Sequence, residues 1–208
     1  PFQYLNYLSQ VSLTFRGGSL LRVEGNLVRM DSKQSSDPQL VWEVGRMQTD
    51  LESDPTYAER FLRIGDAAVE LDVDGIDTGE SVLGNFAMDV LRSAPAVRAH
   101  AAFSTASSFR ASIPPGRIRM EDYLTALPYK NRVLTFQLTG AQLQAVLDLG
   151  VSKRGSDNFG VTSGLRYSVS PSAPSVARDV KVVRDPTAPT PAFDPIQPTS
   201  LYTVAATD

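Results

Sequence analysis

The 208-residue sequence contains no cysteine, a single histidine and a single tryptophan. Without cysteine there are no disulfides and no thiolate metal ligands. One imidazole, His100, rules out a histidine-rich metal cluster. No lysine- or arginine-rich run occurs, and the net charge of -3 with a pI near 5.2 argues against a nucleic-acid partner, because phosphate backbones attract basic faces. No apolar stretch approaches the roughly 18 residues that a membrane-spanning helix requires, so no membrane span is expected.

What is present has ordinary globular composition, 42% hydrophobic and 21% charged, at a length that buries a sizeable core. The two ends, PFQYLNYLSQVSLTF and LYTVAATD, read as strands, whereas natural termini are usually polar and frayed. The sequence therefore reads as a piece of a longer polypeptide.

Along the chain, Val11, Leu13 and Phe15 alternate with polar residues, as do Leu21, Val23 and Gly25 after Gly17-Gly18. That pattern predicts a β-hairpin. Asp37-Pro38 marks a helix start with Leu40, Val41, Val44 and Met47 on one face, and Asp54-Pro55 marks another running to Leu62. From about Ala67 the texture changes. AAVELDV is expected as a strand, Asp74-Gly75 as a turn, and ESVLGNFAMDVLR as a helix with Val82, Leu83, Phe86, Val90 and Leu91 at helical spacing.

AHAAFS, NRVLTFQL, GLRYSVSP, ARDVKVVRD and LYTVAA read as further strands, and MEDYLTAL as a short helix. Thr139 to Gln142 form a capping box opening a helix with Leu143, Val146 and Leu147 as its buried stripe and Gly150 as its stop. PTAPTPAFDPIQP is too rich in proline for anything but a surface loop. The irregular alternation of strands and helices predicts a mixed-sheet α/β or α+β domain from about residue 67 onward.

Several of these segments resemble the C-terminal domain of the 5′-nucleotidase family. GESVLGNFAMDVLR is similar to its E-S-N-L-G-N helix, and FRASIPPGRI to its G-I-R-x-S-I-x-x-G-x-I. LPYKN is similar to P-F-G-N, and LTGAQLQAVLD to the L-T-G-x-x-L helix. SGLRYSV and YTVAATD follow in the right order, so the likeness spans residues 67 to 208. Residues 1 to 30 resemble, more distantly, the last hairpin of the family's N-terminal metallophosphoesterase domain. Residues 31 to 66 would then be a helical linker, with the 67–208 domain truncated at its C-terminal end.

The resemblance implies a substrate-binding domain that holds the nucleoside part of a nucleotide. It packs against its own N-terminal domain, which carries two divalent metals and hydrolyses the phosphate ester. No Asp-x-His or Gly-Asn-His-Asp motif occurs here to supply those metals' ligands, so the chain by itself is expected to be catalytically inactive. Family members are mostly exported, which implies a periplasmic or extracellular setting and a role in nucleotide catabolism.

By the same resemblance Arg110 matches an arginine that contacts ribose or phosphate, through a guanidinium fork suited to oxyanions and vicinal hydroxyls. A surface arginine or an ion pair with Asp122 is the alternative. Tyr129 stands where the family stacks a phenylalanine on the base; the alternative is an aromatic closing the turn after Pro128. Asn131 matches an asparagine that hydrogen-bonds base or ribose, or caps a turn. Asn158 and Phe159 fall near the substrate loop. Outside the resemblance, His100 is expected to be packed or on the surface and Trp42 to be packed. Asp72, Asp74 and Asp77 are explained by turn chemistry as readily as by calcium.

The departures from the pattern point the other way. Where the family has glycines before the arginine, this chain has STASSF, which narrows the space for backbone approach. Where nucleotide-cleaving members carry arginines upstream of the E-S-V-L-G-N helix, it has VELDVDGIDTGE. Fewer cations weaken the binding of a polyanion. Two alternatives to a nucleotidase substrate domain therefore stand. One is a non-catalytic binding or interaction module that keeps the fold. The other is a family hydrolase acting on a cyclic phosphate, a sugar nucleotide or a thiosulfate ester.

Overall fold

A computed structural model of the chain describes residues 7–30, 33–170 and 175–208. The strand-like start at residues 1–6, the first two linker residues and the end of the GLRYSVSP segment lie outside the described residues. The chain divides into two compact units, Pro1–Tyr57 and Ala58–Asp208.

In the first unit, strands β1 (Tyr7–Arg16) and β2 (Ser19–Arg29) form the expected hairpin around Gly17-Gly18. Its register sets Leu13 opposite Val23 and Val11 opposite Gly25, so the apolar residues share one face and Ser12, Thr14, Arg22 and Glu24 share the other. Helix α1 (Pro38–Ser53) begins where Asp37-Pro38 predicts. The Asp37 carboxylate accepts from the Gln39 and Leu40 backbone N–H groups, and proline at N1 needs no partner. Asp54-Pro55 does not start a second α-helix. The Asp54 side chain instead accepts from the Thr56 N–H at 2.8 Å, and in the second unit a single 3₁₀ turn, Ala58–Phe61, follows. Trp42 is not packed: it is 66% exposed.

In the second unit, β3 (Arg63–Ala67) pairs with β5 (Gly116–Arg119). Of the strand expected over AAVELDV, Ala67 closes β3 and Leu71 makes a single bridge to Ile113, while the Val73 N–H is taken by the Ser112 hydroxyl at 3.1 Å. Helix α2 (Val82–Ser93) is capped by Ser81, whose hydroxyl accepts from the Gly84 N–H. Then come β4 (Ala101–Thr105), α3 (Met120–Ala126), β6 (Val133–Thr139), α4 (Gly140–Ser152) and β7 (Gly160–Ser163). They are followed by β8 (Leu165–Val169), β9 (Ala177–Val183), β10 (Phe193–Pro195) and β11 (Leu201–Thr207).

The central sheet runs β6-β11-β4-β7, with β11 and β4 parallel and both outer pairs antiparallel. A second, antiparallel sheet runs β10-β9-β8. Period-two alternation splits the central strands between two cores. Ala102 and Ala205 pack with Leu83, Met88, Phe109 and Val161 on one side. Ala101, Tyr202 and Val204 pack with Leu143 and Val182 on the other. Both faces of the sheet are thus covered, as the apolar character of LYTVAA requires.

The capping box at Thr139 and Gln142 forms as expected. The Gln142 N–H donates to the Thr139 hydroxyl and the Thr139 N–H donates to the Gln142 side chain at 2.9 Å. Of the expected stripe, Leu143 and Leu147 are buried and Val146 is exposed. Gly150 does not stop α4, which continues to Ser152. It is needed for a close approach: a Cβ there would lie 3.3 Å from the Gly160 Cα. The proline-rich segment is not wholly loop either. Phe193–Pro195 adds to the outer edge of β9, where proline is tolerated because one side of an edge strand needs no donors. Arg184 fastens it with two bonds of 2.7 Å to the Asp194 carboxylate.

Candidate functional site

The parallel inner strands β4 and β11 both end at one end of the central sheet, and Arg110, Tyr129 and Asn131 lie near there. After Thr105, β4 breaks into a 3₁₀ turn over Ala106–Ser108. Two backbone bonds dock this turn onto the loop before β7, from Ser107 N–H to the Asp157 carbonyl at 2.9 Å and from Ala106 N–H to the Phe159 carbonyl at 3.0 Å. Phe109 then plunges into the core, and the Arg110 N–H is held by the Ala126 carbonyl at 2.8 Å. The IPPG turn, β5 and α3 carry the chain out and back, so the segment after α3 returns beside Arg110.

The return brings Tyr129 to Arg110, 19 residues apart in sequence. Arg110 Nε donates to the Tyr129 hydroxyl at 3.0 Å, Nη2 donates to the same oxygen, and the guanidinium carbon lies 5.4 Å from the ring centroid. Asp122 is committed elsewhere, accepting from the Arg119 N–H at 2.7 Å to cap α3.

Tyr129 and Asn131 line a polar recess of about 400 Å³ together with Ser104, Thr105, Ser107, Ser108, Thr207 and Asp208. The Asp208 carboxylate accepts from the Arg132 N–H at 2.8 Å and so fastens the Asn131 loop to the end of β11. Tyr129 and Asn131 also border an apolar groove of about 290 Å³, walled by Phe86, Val90, Phe109, Tyr123 and Leu127. Phe86 and Val90 are half exposed there rather than buried, so the helical stripe read from the sequence divides between core and groove.

The hydroxyl run that replaces the family's glycines is internally satisfied. Ser104 donates to Ser108 at 2.9 Å, and Thr105 and Ser107 hydroxyls lie 2.8 Å apart. Ser104 and Ser108 line both the recess and the groove. Their part in the site is legible in the sequence only as a departure from a motif.

Of the five residues singled out, Arg110, Tyr129 and Asn131 come together. Asn158 is exposed on the loop that receives the Ser107 N–H, with its own N–H 3.4 Å from the Ser156 hydroxyl. Phe159 is buried in the main core with Leu83 and Val161 and does not line the recess.

His100 is a packed residue. Its Nδ1 accepts from the Thr203 N–H at 3.1 Å, and its ring meets Tyr202 edge-on at 5.7 Å. Burial holds its pKa below the usual histidine value, against the pull of the Asp185 carboxylate. Among the described residues no three or more His, Asp or Glu side chains are gathered closely enough to hold a metal ion. The acidic turn uses its backbone instead: the Asp72 carbonyl accepts from Leu83, and the Asp77 carbonyl from Gly155. No helix among the described residues is long and apolar enough to cross a membrane.

Known proteins share this fold. The family described as "5′-nucleotidase, C-terminal domain" matches residues 63–208. The chain is 23% identical over 173 residues to the trifunctional nucleotide phosphoesterase protein YfkN of Bacillus subtilis, covering 80% of this chain and 12% of that one. It is 27% identical over 196 residues to a 5′-nucleotidase-related protein of Glossina morsitans morsitans, covering 86% and 34%. Among solved structures, the 5′-nucleotidase precursor of Thermus thermophilus superposes with a TM-score of 0.76 at 25% identity, covering 97% of this chain and 40% of that one. The chain thus spans well under half the length of each of these relatives.

Proposed function

The chain belongs to the 5′-nucleotidase family through its C-terminal domain, and we propose that this domain binds the nucleoside part of a nucleotide whose phosphate ester is hydrolysed elsewhere in the whole protein. The observation that carries the reading is the meeting of Arg110, Tyr129 and Asn131 at one end of the central sheet, beside a recess of about 400 Å³. There the Tyr129 ring stacks on the base, Arg110 orients ribose or phosphate from beside the recess, and Asn131 supplies an amide that both donates and accepts. Asn158, on the adjoining loop, is the further polar group within the substrate's reach.

Two divalent metals would activate water and polarise the phosphoryl oxygen. The described residues do not fit that role, lacking a suitable ligand group, so the metals belong to an N-terminal metallophosphoesterase domain. The hairpin supports residues 1–30 as the last piece of that domain: its apolar face, with Val11 61% and Val23 58% exposed, suits a strand pair covered by a larger domain. Residues 31–66 would be the linker. The Thermus relative is described as a precursor, which supports an exported, periplasmic or extracellular protein acting in nucleotide catabolism.

The test is calorimetric titration of the chain with adenosine, native and Tyr129→Ala. Loss of base–aromatic stacking, worth about 1–3 kcal/mol, should weaken binding about fivefold or more. Equal heats from the two proteins would remove Tyr129 from the site. A second reading, a binding module or a hydrolase domain for a non-nucleotide ester, is favoured by the hydroxyl run at Ser104–Ser108 and the acidic stretch before α2. It predicts no adenosine heat in either protein.

A further inference from the structure

Tyr129 differs from the phenylalanine of the family's P-F-G-N motif by one oxygen, and that oxygen is in use. Nε and Nη2 of Arg110 both donate to it. These two donors form the edge by which a guanidinium grips a phosphate or carboxylate with two parallel bonds. Here a neutral oxygen of the same chain takes that edge. Two accepted bonds fill both lone pairs of the phenol, so its own O–H is left to donate, polarised by the adjacent cation.

The recess beside it offers a phosphate little. The described residues that line it include the hydroxyls of Ser104, Thr105, Ser107 and Ser108 and the Asp208 carboxylate, and no lysine or arginine. A phosphate placed there would face a like charge, whereas hydroxyls and ring nitrogens of an uncharged ligand would find donors and acceptors.

We propose that the Tyr129 hydroxyl is a positioning group that fixes the Arg110 guanidinium beside the recess and masks its Nε–Nη2 edge. The pair is thereby selective for the uncharged nucleoside part of a substrate and denies a phosphate the side-on, two-bond contact through Nε and Nη2. The selectivity rests on the nucleoside reading above; the positioning does not.

Tyr129→Phe keeps the ring and removes the oxygen. At a half-exposed position it leaves the core untouched. The first measurement, solvent exchange of the Arg110 Nε–H by nitrogen-edited NMR, needs no ligand. Exchange should accelerate about fivefold in Tyr129→Phe, the equivalent of one net hydrogen bond. Equal rates overturn the positioning role. The second is calorimetry with adenosine and AMP. The native chain should bind the two with similar Kd, while Tyr129→Phe, its arginine edge released, should favour AMP over adenosine by about fivefold. An unchanged AMP-to-adenosine ratio overturns the selectivity. If neither ligand binds the native chain while the Nε–H is slowed, the nucleoside reading falls and the positioning role stands.

Discussion

His100 lies just ahead of β4, with Nδ1 accepting the Thr203 N–H at 3.1 Å, so its neutral form is built into the fold. Because burial lowers its folded pKa, the unfolded chain binds a proton more readily than the folded one. Stability is therefore full above the unfolded value of about 6.5 and falls as pH drops through it, the loss being complete below the folded pKa. Urea unfolding of the native chain should shift to lower midpoints as pH falls below about 6.5, and His100→Gln should lack that part of the shift. A parallel pH dependence in the two proteins would deny His100 this role. At this scale the sequence announced a packed or surface histidine but not its acceptor bond, since Thr203 lies 103 residues away.

Several elements whose signals are local came out as their residues predict. Asp37-Pro38, Ser81 and the Thr139–Gln142 pair each start a helix because the cap and its orphan N–H groups are neighbours in sequence. Thr139→Ala should cost about 1 kcal/mol of unfolding free energy, read from urea unfolding, by removing one side of the box. The next residue gives a sharper test. Gly140→Ala should stabilise a helix start on propensity alone, yet a Cβ there would collide with the Gln197 carbonyl oxygen. We expect it to destabilise by about 1–3 kcal/mol through overpacking, and a gain in stability would refute that contact. β5, β7 and β10 went unread because each is three or four residues long and held by partners distant in sequence.

Every residue of the buried cores lies between Leu71 and Val204 or Ala205, inside the second unit. The first unit contributes no buried residue to α1 and leaves the apolar face of its hairpin exposed. Residues 58–208 produced alone should therefore keep a cooperative thermal transition, with a midpoint within a few degrees of the whole chain's. A broad, non-cooperative melt would show that residues 1–57 are required for the fold. The placement of Trp42 belongs to this scale as well, for its exposure follows from a helix that finds no buried partner.

Composition, caps and the spacing of apolar residues were enough to exclude a membrane-spanning helix, to expect mixed α/β architecture and to bring Arg110, Tyr129 and Asn131 forward through motifs carried in order. Those are properties of residues near one another in the chain. The bond between the arginine and the tyrosine, the burial of Phe159 beside an exposed Asn158, and the closing of the recess by Asp208 were decided only in three dimensions. Each depends on which strand ends the central sheet brings together, and pairing between residues distant in the chain leaves no periodic trace in either partner.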